Sequence, residues 1–370
     1  MKKIMFLTAA MVMASSSAVA GGFAQSGHSA AAAGVADAFA ATASDASAVI
    51  YNPAGIAWLP GVTVTGGLSL NYRDSSAKIP GGITPNMGSE ATVGYLYATW
   101  APLDSNWGIG FGFSPLYQIN NDWSSDGLGG LTKLTVDHAS LDGVYAINSS
   151  LAIAAGMDWY LTRATFVQTP NTFDDSSFTT FGGHAALMWK PAPAWSLGLT
   201  YRSGAKVDIS GAGGQTLAFK LPDTVTAAVA RDITDAWRLE ADVKWTRWSA
   251  LKNMNVTGAA GAVIQPNALA LRDTITAMAG VTWTWYPDSQ LRFGYAYDQG
   301  ANKSAGYNPI MADQDGHRLS LGVGGEVANM HMDLAYSYTY YAKKTVTGAF
   351  AGTYRDRKQA LLFSISKTFD

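Results

Sequence analysis

Along much of the chain, apolar and polar residues alternate one by one. From Trp237 the odd positions are Trp237, Leu239, Ala241, Val243 and Trp245, and the even ones are Arg238, Glu240, Asp242, Lys244 and Thr246. Successive side chains of a strand face opposite sides, so this segment has one apolar and one charged face. The stretch from His331 repeats the design: Met332, Leu334, Tyr336, Tyr338 and Tyr340 oppose His331, Asp333, Ala335, Ser337 and Thr339. Leu291, Phe293, Tyr295 and Tyr297 alternate with Arg292, Gly294, Ala296 and Asp298, and Leu151 to Leu161 makes another such face. The pattern predicts about 14 strands: near 62–72, 91–101, 107–113, 134–147, 151–167, 178–190 and 195–209, then 215–231, 237–251, 273–286, 290–298, 316–327, 330–343 and 355–369.

A soluble sandwich would also alternate, but here the strands end in aromatics (Trp159 and Tyr160, Trp189, Trp245 and Trp248, Trp283 to Tyr286). Such rings suit the headgroup boundary of a membrane barrel, and the even strand count is that of a bacterial outer-membrane barrel. Tight turns at 104–106, 149–150, 191–193, 232–236, 287–289 and 328–329 alternate with longer loops at 73–89, 114–133, 168–177, 252–272, 299–314 and 344–354. One outer connection, around 211–214, is short. Short turns belong on the periplasmic side, which places both termini there. The expected fold class is all-β, a transmembrane antiparallel barrel.

Composition sharpens this. Lys2 and Lys3, the apolar stretch from Ile4 to Val12 and Ala18-Val19-Ala20 read as a signal peptide over 1–20, with a mature start near Gly21. Charged residues make up 14% of the chain, against about 25% in soluble domains, with Gly (39) and Tyr (17) abundant. Beyond the signal there is no run of about 18 apolar residues, which excludes a helical membrane protein. Without cysteine there is no disulfide framework, thiolate zinc site or cysteine nucleophile, and a net charge of -2 offers no footprint for nucleic acid. The five histidines (His28, His138, His184, His317 and His331) show no metal spacing. His138 with Asp142, and His331 with Asp333, are placed on lumen faces, but no GxSxG or other defined nucleophile accompanies them. The chain is read as a non-enzyme without metal or cofactor.

Residues 21–61 differ from the rest. An Ala- and Gly-rich stretch from Ser29 to Ala43 leads to Ser44 and Asp45, which can cap helical turns, and to Asn52-Pro53-Ala54-Gly55. The segment is apolar, with Phe23, Phe39, Val49, Ile50 and Trp58, and nearly uncharged, which suits a lumen plug better than a solvated tail. The organisation expected is a signal (1–20), a hatch (21–61) and a barrel (62–370).

Several of these residues, in order, resemble one family. Phe23, the Ala/Gly stretch, Asp45-Ala46 and Asn52-Pro53-Ala54-Gly55 look like the N-terminal hatch of the long-chain fatty-acid outer-membrane transporter family (FadL/TodX, OMPP1-type). Ala139 to Asn148 with Leu151 to Thr165, Gly198 to Ser203, Leu221-Pro222-Asp223, Trp245 to Ser249, Arg272-Asp273 and Asp313 to Leu319 follow in the family's order. The terminal strand carries Leu361, Phe363, Ile365 and Phe369 on one parity, with Asp370 displacing the usual final aromatic by one.

The resemblance implies a 14-stranded barrel plugged by the hatch, acting as a passive monomer in the Gram-negative outer membrane among lipid and lipopolysaccharide. Ligand would be caught by outer loops and released sideways through a kinked third strand. The matching strand reads Trp107-Gly108-Ile109-Gly110-Phe111-Gly112-Phe113-Ser114-Pro115, and glycines followed by proline weaken ladder pairing. A gate over Gly108, Gly110, Phe111, Gly112, Phe113 and Pro115 and ordinary tight packing are both open readings. Leu116, Tyr117, Ile119, Trp123, Leu128, Leu131 and Leu134 are unusually apolar for a loop; the resemblance implies a capture groove, and self-packing is the other reading. A fatty-acid carboxylate would want a basic partner: Arg163, pointing outward by parity near the rim, fits ligand capture as well as snorkelling, while Arg202, Arg238 and Arg247 are read as pairing with lumen acids such as Glu240 and Asp242. The family's pocket lysine is replaced by uncharged residues among Gln265 to Leu271. Long-chain fatty acids are the expected cargo, with neutral or aromatic hydrocarbons, or a general hydrophilic porin, as alternatives.

Overall fold

The computed structural model describes residues 22–81, 86–123, 130–168, 170–303, 307–311, 313–348 and 350–369. The signal over 1–20, Gly21 and Leu128 therefore lie outside the described residues. Fourteen antiparallel strands form one closed barrel: β1 (Gly61–Lys78), β2 (Asn86–Ala101), β3 (Trp107–Asp122), β4 (Leu131–Asn148), β5 (Leu151–Gln168), β6 (Asn171–Ala192), β7 (Trp195–Arg202), β8 (Thr224–Thr234), β9 (Trp237–Thr246), β10 (Thr274–Tyr286), β11 (Ser289–Asp298), β12 (Gly316–Val327), β13 (Met330–Tyr341) and β14 (Gly352–Phe369). The last strand closes on the first, from Val62↔Phe369 to Lys78↔Thr353. Burial follows the alternation. On β9 Trp237, Leu239 and Val243 are exposed while Glu240 and Asp242 are buried; on β13 Leu334, Tyr336 and Tyr340 are exposed while Asp333, Ala335 and Ser337 are buried. The apolar side thus faces lipid and the polar side the interior.

Four expectations need correction. The third strand does not end at Phe113: it runs through Pro115 to Asp122, so most of the loop expected after it is strand. It changes character on the way. Leu116 is left without a partner on β4, between Pro115↔Asp137 and Tyr117↔Val136, and this bulge moves the inward positions from even to odd numbers. The region 168–177, expected as a loop, is largely the start of β6. The strands expected over 195–209 and 215–231 break at Ser203-Gly204 and at Leu221-Pro222. Between the breaks a hairpin, Lys206–Ser210 with Thr216–Lys220, leaves the barrel sheet and joins two short strands of the 247–273 connection. Pro222 has no N–H to continue a ladder, and a Cβ on Gly204 would lie 2.4 Å from the Leu221 carbonyl oxygen. The hairpin leaves because Val207, Ile209, Leu217 and Phe219 bury one face over the barrel mouth.

Residues 22–60 run inside the ring of strands. They carry α1 (Ala30–Gly34), α2 (Ala48–Tyr51) and a 3-10 turn, Pro53–Trp58. Ser29 caps α1, accepting from the Ala32 amide at 3.2 Å. Asp45 accepts from the Ser47 amide at 2.7 Å. Asn52 caps the 3-10 turn by accepting from the Ala54 amide at 3.1 Å, with Pro53 at its first position. Gly55 permits contact with Ala43, since a Cβ there would come within 2.8 Å of that residue.

The glycines of β3 face this segment. A Cβ on Gly110 would lie 2.7 Å from Ile56 Cδ1 and 2.8 Å from Val49 Cγ2, and one on Gly112 would lie 2.5 Å from Val49 Cγ1. Gly110→Val therefore overpacks the contact by about 1–3 kcal/mol. The barrel should keep its heat-modifiable migration while amides of residues 48–58 lose exchange protection; unaltered protection would contradict the contact.

Candidate functional site

Three features converge in the half of the barrel that carries the long loops. The first is a cut in the wall. The described ladder between β2 and β3 runs only from Trp100↔Ile109 to Leu96↔Phe113. Above it β3 leans away from β2, and the chain's own start takes the vacated edge. The Gln25 amide donates to the Leu116 carbonyl at 2.8 Å, and the Gln118 amide donates to the Phe23 carbonyl at 2.9 Å. Ala24 forms an antiparallel bridge to Tyr117.

The second feature is an apolar cluster above the N-terminal segment. It gathers Ile119 of β3, Leu134 and Val136 of β4, Tyr160 and Phe166 of β5 and Phe173 of β6. The hairpin and the residues Leu251 to Leu271 roof it. Phe23 sits within it, 4.8 Å from the Trp248 ring and 5.3 Å from the Tyr117 ring, and Gly22 passes so close to Trp248 that a Cβ would clash at 2.3 Å. Fully burying each such side chain stabilises by roughly 1.5–3 kcal/mol.

The third is a polar cavity between the cluster and the N-terminal segment, bordered by Leu116, Tyr117, His28, Asp37, Arg202 and Lys244. Most of its charges are satisfied by the fold. Arg318 pairs with Asp37 at 2.7 Å, and Asp37 also accepts from the Tyr51 hydroxyl at 2.6 Å. Arg202 pairs with Asp158, which accepts from His138 at 2.6 Å and from His184 at 2.9 Å; His184 also reaches Asp142. Lys244 lines the same cavity and makes no ion pair among the described residues.

Glu240 and Asp242 were expected to pair with the basic residues, and the structure corrects this. Asp242 accepts from the Phe39 and Ala40 amides at 3.1 and 3.0 Å, and Glu240 from the Ala41 and Thr42 amides at 2.6 and 3.2 Å. These carboxylates hold the N-terminal segment by its backbone. Asn52 adds donations to the carbonyls of Ala40 (2.8 Å) and Leu187 (3.2 Å). The arginines find other acids: Arg238 pairs with Asp232, Arg247 with Asp223, and Arg163 with Asp137. His138 and Asp142 both face the interior, as their parity implied, and His138 bonds Asp158.

The residues singled out from sequence therefore divide. Phe23 and Tyr117 meet in the apolar cluster, with Leu116 packed against it. Trp123 is buried in a separate group with Tyr307 and Tyr354. Leu131 is half-buried at the start of β4, and Arg163 is 65% exposed on the outer face, away from the interior. Phe166, Phe173, Phe219 and Trp248 were missed. For Phe166 and Phe173 the signal was an apolar residue on a lumen parity, where the alternation calls for a polar one; Phe219 lies on the hairpin that leaves the barrel and Trp248 on a 3-10 turn, where lumen parity gives no signal.

His28 borders the cavity on the N-terminal segment. Burial pushes its ring down to about 4, against the opposing pull of Asp37 and with Lys244 and Arg202 adding to the depression. The seated ring is thus neutral while a displaced one, with an ordinary value near 6.5, takes a proton. Seating weakens as pH falls from about 6.5 toward 4. Protection factors of the amides in residues 23–30, taken relative to the intrinsic exchange rate at each pH, should fall between pH 7 and 5, and His28→Gln should remove that component; identical profiles for parent and variant would refute it.

The outer membrane protein transport protein family (OMPP1/FadL/TodX) matches residues 11–367. Among relatives, outer membrane protein P1 of Haemophilus influenzae is 22% identical over 364 residues, covering 80% of this chain and 78% of that protein. A long-chain fatty acid transport protein of Escherichia coli is 22% identical over 368 residues, covering 82% and 81%. The fold is that of the crystal structure of a Pseudomonas aeruginosa FadL homologue, with a TM-score of 0.85 at 17% identity over 95% of this chain and 100% of that one. The toluene transporter TodX of Pseudomonas putida superposes with a TM-score of 0.70 at 18% identity over 94% and 99%. With its closed 14-stranded barrel and this match over nearly its whole length, the chain belongs to the OMPP1/FadL/TodX family of outer-membrane transport proteins.

Proposed function

We propose that the protein is a passive uptake channel for hydrophobic molecules, with long-chain fatty acids as first cargo. The observation that carries this is the juxtaposition of the apolar cluster with the cut between β2 and β3. A greasy solute gains about 25 cal/mol per Å² on leaving water for such surroundings, and the cut leads it on into the bilayer. An aqueous pore offers it neither. The polar interior below is occupied by residues 22–60, which in this reading act as the plug, with both termini in the periplasm. The β2–β3 edge beyond Phe113, at Ser114 and Pro115, is the lateral gate, the paired stretch from Gly108 through Gly110, Phe111 and Gly112 to Phe113 forms its lower rim, and Leu116 and Tyr117 guide the ligand.

Two observations bear on the ligand's headgroup. Lys244 offers a carboxylate a cation, and its cavity adjoins the apolar cluster at Tyr117. Arg202, Arg247 and Arg272 are each engaged with an aspartate, which favours a neutral hydrocarbon as the second reading. Uptake of labelled oleate, toluene and a small sugar by intact cells with and without the gene separates these. Oleate uptake that falls several-fold with Lys244→Met while toluene uptake persists supports the acid; toluene uptake alone supports the hydrocarbon, and sugar flux alone rejects both.

The exit route has its own test. Pro115→Thr combined with deletion of Leu116 restores an N–H and a uniform parity, so the β2–β3 ladder can extend past Phe113. Uptake should drop toward that of cells lacking the protein, with folding retained. Unchanged uptake by a folded variant would reject lateral exit.

A further inference from the structure

At their outer ends the lipid-facing sides of β14 and β1 turn from apolar to basic. On β14 the outward positions Ile365, Phe363 and Leu361 are followed by Gln359, then by exposed Arg357 and Arg355. On β1 Leu68, Leu70 and Tyr72 are followed by Asp74, Ser76 and exposed Lys78. Tyr72 stands opposite Gln359, and the exposed Tyr340 of β13 stands opposite Arg357, so the basic residues begin at the outer aromatic belt.

The cations are close together. Arg355 faces Ser76 and Lys78 faces Thr353 across the ladder. Residues two apart on a strand are separated by about 7 Å, and neighbouring strands by about 5 Å, which leaves Arg357 and Lys78 each about 7–9 Å from Arg355 along the backbone. Arg357 is held in place by Asp74, with an Nε to Oδ2 distance of 2.8 Å. Arg355 and Lys78 make no ion pair among the described residues. At the same height the inward residues do the fold's work instead: Arg73 is buried against Asp356 at 2.9 Å. Arg355 and Lys78 are therefore left for a ligand, with Arg357 held beside them by Asp74.

We infer that Arg355, Arg357 and Lys78 form a binding site for the phosphate groups of lipopolysaccharide in the outer leaflet. That leaflet presents a phosphorylated sugar headgroup at the apolar boundary, the level at which these side chains stand. Arginine's planar fork matches phosphate oxygens in pairs, and the lysine adds a mobile point charge. The inference rests on membership of an outer-membrane family and is independent of what the channel carries.

The parent and Arg355→Gln/Lys78→Gln, each purified in detergent, are titrated with bisphosphorylated lipid A and with the same lipid after removal of its phosphates. With about 1 kcal/mol per cation near an anionic surface, the variant should bind the phosphorylated lipid about ten- to thirtyfold more weakly. The parent should bind the dephosphorylated lipid as weakly as the variant does, and inorganic phosphate at matched concentration should not compete. A charge-matched control, Lys206→Gln/Lys220→Gln, should bind like the parent. Heat-modifiable migration reports folding, and Arg355→Lys/Lys78→Arg must retain binding. Equal affinity of parent and variant, tight binding of dephosphorylated lipid, an equal loss in the control, loss in the charge-conserving variant or competition by free phosphate would each overturn the assignment.

Discussion

In hydrocarbon a backbone N–H or C=O has no water to turn to, so each strand must find a partner on both sides. That demand explains why β1 closes on β14 along almost its entire length, and why the shortened ladder between β2 and β3 is the feature on which the functional reading turns. The edge of β3 laid bare by the cut is not left unmet, because Phe23 and Gln25 bond it. One short stretch of chain thus serves both the wall and the interior.

The interior is divided by chemistry as much as by shape. Toward the tight-turn end, inward carboxylates grip peptide amides, with Glu240 and Asp242 holding four consecutive N–H groups. Across β4 to β7, Asp142, Asp158, His138, His184 and Arg202 satisfy one another. A buried charge left alone would cost several kcal/mol, so such groups occur as sets. Toward the long-loop end the lumen positions become apolar and the loops fold over them.

Much of this was legible in the chain because two sides in different solvents leave a period of two in the sequence. The strand count, the tight turns and the outward direction of Arg163 all follow from that period. What stayed hidden has physical causes. The bulge at Leu116 shifts parity by one residue, so Ser114 to Asp122 no longer alternates in step and reads as loop. The hairpin after Arg202 keeps its alternation while abandoning the barrel, and only Gly204 and Pro222 mark the departure. Glycines at 108, 110 and 112 look like weakness in a strand, whereas here Val49 and Ile56 stand where side chains would go. Partner choice was the least readable property: parity placed Glu240 and Asp242 inside, but nothing in their neighbourhood announced peptide amides instead of arginines.

The ring of Phe23 has an equilibrium consequence. In the channel proposed above, a guest entering the greasy chamber would trade places with this residue, which is tethered and whose local concentration is fixed by a few residues of backbone. Measured affinity is then the intrinsic one scaled by how often that residue stands aside. If that exchange is the way in, a solute burying less surface than a phenyl ring needs a correspondingly higher concentration to win it.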